Sequence, residues 1–247
     1  GWYGFKPNSS FIFFNDENTN KNSHTLDIDF PICSNSMPWT TTSKTIIGNH
    51  TLVGIMGLFI GNTYNESTII NYMLALNYTC FELYMPIKIR EYSIVQDIPG
   101  SLSFSNDTTN IKNKYTDTQW TDIPVIDHPY YWSIQSPKTF SIDYTDSSGN
   151  LHKITNKIFP QTTLIVDSGT NGFSLPLGFT ISGAIDTKIY LTYDNFTLEI
   201  QDLGANCMDG KCRLAASSKN ISILGAPLWY TYPNIIFNTK KENNALI

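Results

Sequence analysis

The chain has 247 residues, of which 41% are hydrophobic and only 15% charged, with a formal net charge of −5 and a pI near 5.3. That length and balance exclude intrinsic disorder and a small peptide module, and the absence of any Lys or Arg run excludes an electrostatic footprint for nucleic acid or an anionic membrane surface. The longest apolar stretch, Leu52 to Ile60, is about half of the ~20 residues a membrane helix requires, so no membrane span is expected. With 14 Tyr, 14 Phe and 5 Trp, the chain is expected to be mostly β.

Trp2-Tyr3-Gly4-Phe5 opens the sequence, and a polar, Asn-rich stretch from Asn15 to His24 reads as an exposed loop. Leu26-Asp27-Ile28-Asp29-Phe30 then alternates with the period of a half-buried strand that ends at Pro31. Asp27 and Asp29 do not read as a catalytic pair: two apart on a strand, they share its solvent face, and neither leads into a glycine turn. Glu66 to Leu76 carries apolar residues at 69, 70, 73, 74 and 76, the spacing of one helix face. Phe81 to Met85 reads as a strand, and residues 137 to 163 as a hairpin turning at Ser147-Ser148-Gly149-Asn150. Pro176 to Ala184 is expected to make a short helix, while Lys188 to Ile200 and Cys207 to Leu214 read as strands.

The stretch with the most chemistry in it is Leu164-Ile165-Val166-Asp167-Ser168-Gly169-Thr170. An apolar strand delivers a carboxylate toward the interior, where it must be hydrogen-bonded or do chemistry, and the glycine lets the chain turn back tightly. Further on, Ile223-Leu224-Gly225-Ala226 supplies two apolar residues and a glycine that permits close backbone approach, so the two segments read as halves of one knot. The four histidines, His24, His50, His128 and His152, are scattered; no Ser-His-Asp arrangement can be assembled from them, and they read as surface or structural.

Asn-X-Ser/Thr sequons occur at Asn8, Asn49, Asn65, Asn77, Asn106, Asn195 and Asn220, so N-linked glycans are expected. Four cysteines fit an oxidising compartment. Of the three possible connectivities, the local choice joins Cys207 to Cys212 across a turn containing Asp209-Gly210 and leaves Cys33 for Cys80. No His stands at metal-ligand spacing from them, so no metal site and no cofactor is expected. The chain opens on Gly1 with no leader, so a signal peptide is expected to have been removed or left out, and the location to be extracellular or lysosomal-vacuolar by way of the secretory pathway.

Asp167-Ser168-Gly169-Thr170 and Ile223-Leu224-Gly225 resemble the second active-site loop and its crossing loop in pepsin-like aspartic proteases. The segment Asn238 to Asn244 is similar to that family's closing strand, with Asn238 in place of the usual Asp and Asn171 where Ser or Thr is commoner. Gly54-Ile55-Met56-Gly57-Leu58 resembles the crossing loop of the N-terminal lobe and parallels Ile223-Leu224-Gly225 as an internal repeat. Gly100-Ser101-Leu102-Ser103-Phe104 is similar to the family's "G-x-L-x-F-G-G" strand, although Ser105 and Asn106 replace the glycines. The passage from Trp120 through Pro124-Val125 to Tyr131-Trp132-Ser133-Ile134 resembles the one that carries the chain between lobes. The resemblance implies a bilobal pepsin-like fold, with residues 1–128 forming an incomplete N-terminal lobe and residues 129–247 the C-terminal lobe, divided near His128. It also implies a capping phenol from a Tyr-Gly flap, for which Tyr3 in Trp2-Tyr3-Gly4 is the candidate; the alternative is a core aromatic.

In that family two facing carboxylates share one proton and hold a water, so one acts as base and the other as acid in peptide hydrolysis. Here Asp167 is the candidate catalytic residue, with Ser168 and Thr170 hydroxyls expected to bond its carboxylate and Gly169, Ile223, Leu224 and Gly225 supporting the loop. No other Asp-Ser/Thr-Gly occurs, and the matching offset back from Gly57 falls upstream of Gly1. Three explanations stand open: the first acid sits on a companion light chain, it lies outside the sequence given, or the protein never had it. The expected function is accordingly an aspartic endopeptidase acting on peptide or protein substrates at acid pH. The alternative is an inactive protease-like secreted glycoprotein with a structural, assembly or binding role, including self-assembly.

Overall fold

The computed structural model describes residues 10–13, 24–27, 46–47, 50–51, 58, 69–86, 88–90, 93–95, 100–126, 131–160, 163–170, 172–177, 180–184, 186–201, 207–208, 211–216, 221–239 and 244–246. Strands dominate, as the aromatic and β-branched composition predicts, and the helices among these residues are three short ones. Two compact units divide after Leu76. The lobe boundary expected near His128 falls within the second unit, and His128 itself lies outside the described residues.

In the first unit, β1 (Ser10–Phe13) pairs antiparallel with β2 (His24–Asp27), and β3 (Ile46–Ile47) with β4 (His50–Thr51). Helix α1 (Ile69–Ala75) lies within the segment whose spacing calls for a helix, and Ile69, Ile70 and Met73 are buried, as positions on one face must be.

The second unit begins with β5 (Cys80–Tyr84), β6 (Lys88–Arg90), β7 (Ser93–Val95), β8 (Ser101–Ser105), α2 (Thr108–Lys112), β9 (Asp122–Ile126) and β10 (Ser133–Ile134). The long hairpin β11 (Thr139–Thr145) and β12 (Leu151–Ile158) follows, then β13 (Thr163–Val166), β14 (Ser174–Leu175), β15 (Ile181–Ala184), β16 (Asp186–Thr192) and β17 (Thr197–Gln201). The chain closes with β18 (Cys207–Met208), β19 (Lys211–Ala216), β20 (Ile221–Leu224), α3 (Pro227–Thr231), β21 (Asn234–Asn238) and β22 (Asn244–Leu246). β6 and β7 form a ribbon of their own. One large mixed sheet runs β15-β19-β14-β20-β13-β10-β9-β22-β21-β5-β8, and a second, four-stranded antiparallel sheet runs β12-β11-β16-β17.

Alternation along the large sheet sorts its faces. Phe81 stacks on Phe237 with centroids 4.8 Å apart, and Trp132 meets both rings, so one face is an aromatic core. The opposite face carries Cys80, Glu82 and Ile236, covered by Ile111 of α2 with Tyr115 and Trp120 packed alongside. In the four-stranded sheet Phe140, Ile142, Ile189, Leu191, Leu198 and Ile200 are buried on one face. Helix α3 docks on β17, where the Thr231 hydroxyl accepts from Gln201 N and the Tyr232 hydroxyl donates to the Glu199 carbonyl.

The β11–β12 hairpin turns where the Ser-Ser-Gly-Asn signal places it. Asp146 accepts from the backbone N–H of Ser148 and Asn150, and Gly149 supplies a φ of +84°. One expectation is corrected: Ile181–Ala184 is a strand on β19, not part of a helix from Pro176 to Ala184. β-branched Thr180 and Ile181 with Gly178 and Gly183 disfavour a helix, and partner β19 is supplied from thirty residues away in the chain, roughly beyond any local window.

Candidate functional site

Strand β13 is apolar throughout its last three positions, and Leu164, Ile165 and Val166 are all buried. Each such side chain contributes roughly 1.5–3 kcal/mol by leaving water, which anchors the strand in the middle of the sheet. Its neighbours are β10, antiparallel, and β20, parallel with Val166 opposite Leu224. The next strand in sequence, β14, does not pair with β13; β20 lies between them, with Ser174 opposite Ile223. The chain therefore leaves β13 at Asp167, loops over the end of β20 and returns on its far side. The two segments expected to form one knot are brought together by this crossing.

Asp167 sits at the mouth of that loop, half-buried. Its own N–H donates to the Leu224 carbonyl at 3.0 Å, which ties the acid to the crossing strand. Its carbonyl accepts from Thr170 N at 3.2 Å, closing the turn. The carboxylate accepts at both oxygens: Gly169 N–H donates to Oδ1 at 2.9 Å and the Thr170 hydroxyl to Oδ2 at 2.6 Å. Thr170 thus does what its sequence position suggests. Ser168 does not: it is exposed, and no hydrogen bond from it to Asp167 occurs among the described residues. The turn puts residue 169's N–H and residue 170's side chain over the carboxylate while residue 168 points away.

Gly225 explains why a glycine ends the apolar run of β20. A Cβ there would collide with the backbone carbonyl oxygens of Thr170 and Gly172. The close approach is locked by Ala226 N–H donating to the Thr170 carbonyl at 2.7 Å. Beyond it, Leu228 N–H donates back to the Gly225 carbonyl and α3 begins with Pro227 at its first turn. Leu224 and Gly225 are buried, whereas Ile223 is half-buried. Gly172 is a participant that sequence reasoning missed; its signal was a glycine two residues past Thr170, which is readable only once the facing Gly225 is known.

The arrangement holds one carboxylate by two donors at fixed distance and leaves lone pairs on both oxygens for a water or a substrate group. No ion pair to Asp167 occurs among the described residues. Nor does any group of three or more His, Cys, Asp or Glu suited to a metal occur there.

Tyr3, Cys33, Asn8, Asn49, Asn65 and Asn220 lie outside the described residues, as does Asn171, and of Gly54 to Leu58 only Leu58 is described. Asn77, Asn106 and Asn195 are exposed: Asn77 at a positive-φ turn, Asn106 at the bend before α2, and Asn195 in the turn from β16 to β17. Cys207 and Cys212 stand directly opposite in the β18–β19 register. Opposed residues in an antiparallel pair have Cα atoms about 4.5–5.5 Å apart, inside the range a disulfide spans. Cys80 is buried, its Sγ 3.3 Å from the Ser105 carbonyl oxygen. Among the described residues no helix is long and apolar enough to cross a membrane. A scan against protein-family models finds no match, and neither do searches of curated proteins and of solved structures.

Proposed function

We propose that this chain is part of an acid-acting aspartic endopeptidase in which Asp167 is one of two catalytic carboxylates. The observation that carries the reading is the Asp167 loop: a carboxylate accepting from Gly169 N–H and the Thr170 hydroxyl, at a crossing that only a glycine at position 225 can fill. The same reading carries with it a bilobal pepsin-like scaffold with a division near His128. Peptide hydrolysis needs a water positioned between a base and an acid, and a lone carboxylate supplies one of these. The second Asp would come from outside these 247 residues, on a companion chain or a further segment. Asp167 would then take a proton from the shared water as it attacks the scissile carbonyl, while the partner donates to the carbonyl oxygen.

A second reading rests on a different observation, the single Asp-Ser/Thr-Gly in the chain. On that reading the protein is an inactive protease-like glycoprotein of the secretory pathway, serving in assembly or binding. The exposed positions of Asn77, Asn106 and Asn195 are compatible with both readings, since glycans need only surface access.

The two separate in one experiment. Protein purified intact from its source is assayed for acid peptidase activity beside the isolated 247-residue chain. The endopeptidase reading expects activity from the intact assembly, lost on Asp167→Asn, and none from the chain alone. An inactive intact assembly leaves the glycoprotein reading standing.

A further inference from the structure

Glu82 is the one carboxylate buried in the sheet among the described residues, at 1% exposure in the middle of β5. Its neighbours across the ladders are Ile236 on β21 and Ser103 on β8. Opposed residues share a face, so its side chain points to the α2 side of the sheet. There Ile111, Tyr115 and Trp120 close over Cys80 and Ile236, with Tyr115 and Trp120 edge to face at 6.0 Å. The Tyr115 hydroxyl bonds the carboxyl. Even so, Oε1 of Glu82 is buried without a partner, and so is Nε1 of Trp120 in the cover above it. A carboxylate is acceptor-only and needs several donors, whereas a carboxylic acid has a proton of its own and far less charge to solvate.

We infer that Glu82 is a proton-set latch: as the carboxylic acid it lets the segment carrying Tyr115 and Trp120 close over β5 and β21, and on ionising it loosens that cover. Among the described residues the charged and titratable groups around it are few. Its own strand offers Tyr84 and, two residues away on the same face, Cys80. The cover offers Lys114 and Tyr115, with Asp117 beyond them, and Lys112 of α2 is engaged with Asp122 at 3.8 Å. Neither Ser101–Ser105 of β8 nor Asn234–Asn238 of β21 contains an ionisable side chain. Burial raises the Glu82 pKa above its ordinary 4.5, only partly opposed by the Tyr115 hydrogen bond and by Lys114. Because the folded value is raised, the contribution to stability is complete below about pH 4.5 and is lost as pH rises through the raised value. The latch is closed in acid and released toward neutrality, independently of whether Asp167 is catalytic.

The test is a pH series, from 4 to 8, of denaturant unfolding on the intact protein and on two variants with a neutral side chain, Glu82→Gln and Glu82→Met. Relative to either variant, the wild-type folding equilibrium falls as pH rises, by up to about tenfold per pH unit while the carboxyl titrates. Amide protection across 113–121 falls with it in the wild type and not in the variants. Tyr115→Phe, which removes the hydroxyl that bonds the carboxyl, extends the loss to higher pH because the acid form is then favoured further. A constant difference between wild type and both neutral variants from pH 4 to 8 overturns the latch. Should neither variant fold, amide protection of 113–121 in the wild type decides alone: loss between pH 4.5 and 8 supports the latch, and constancy overturns it.

Discussion

Gly225→Ala probes the crossing directly. The new Cβ points at the carbonyl oxygens of Thr170 and Gly172, which are backbone atoms of a tight loop and cannot swing aside as a side chain tip would. Relief requires separating the loop from the strand, which breaks the Ala226 N–H to Thr170 bond and stretches the Asp167 N–H to Leu224 bond. Overpacking costs about 1–3 kcal/mol, and each hydrogen bond lost contributes about 1 kcal/mol net. The sum, roughly 2–5 kcal/mol, is a large share of a typical domain's stability of about 5–15 kcal/mol. For a chain of this size it corresponds to a fall in Tm on the order of 10 °C. Gly149→Ala is the control: its φ is +84° but nothing lies within 4 Å of its would-be Cβ, so only left-handed strain applies, about 1 kcal/mol. Thermal unfolding of both variants beside the wild type is the assay. A Gly225→Ala protein that melts within about 2 °C of the wild type, or no lower than Gly149→Ala, would refute the claim that the loop and the strand are in enforced contact.

Thr170→Val removes the hydroxyl that donates to Oδ2 of Asp167 at 2.6 Å; we expect a stability loss of about 1 kcal/mol by chemical denaturation, with the fold retained. Asp146 is held well below the ordinary carboxylate range, first by His152 and next by the Asn150 N–H. A lowered folded pKa contributes stability above the ordinary value near 3.8 and loses it as pH falls through the lowered one, so amide protection at Ser148 and Asn150 should decline only below about pH 4. Early loss, between pH 5 and 7, would show that the turn is held by something else. Mass mapping of glycopeptides from the natural source should find sugar on at least one of Asn77, Asn106 and Asn195, and bare asparagine at all three would remove the secretory assignment.

What was legible in the sequence was local. An apolar run stopping on Asp-Ser-Gly-Thr is a strand leading into a tight turn whatever surrounds it, and β13 ends accordingly at Val166. The period of Ile69, Ile70 and Met73 gave α1 for the same reason. Elements decided by distant partners were not legible. Ile181–Ala184 becomes a strand because β19 offers it an edge, and no spacing within 176–184 reports that. Glu82 alternates with Phe81 and Leu83 like any solvent-facing acid on a half-buried strand. Only the packing of Ile111, Tyr115 and Trp120, some thirty residues on, roughly speaking, turns that face into an interior one. At the site itself, Thr170 was readable from the turn chemistry of its motif, whereas the choice of Gly169 N–H over the Ser168 hydroxyl depends on how the turn is rotated.

The most direct test of Asp167 as half of a catalytic pair is calorimetric titration of the intact protein from its source, at acid pH, with a peptide mimic carrying a hydroxyl in place of the scissile carbonyl. Such a mimic is held by both carboxylates together, so tight binding requires the pair. We expect the intact wild-type protein to bind it and Asp167→Asn, with its fold retained, to lose at least a hundredfold in affinity, on the order expected for a charge-assisted hydrogen bond. Binding that is equally tight in the wild type and in Asp167→Asn would contradict the assignment of Asp167 to catalysis.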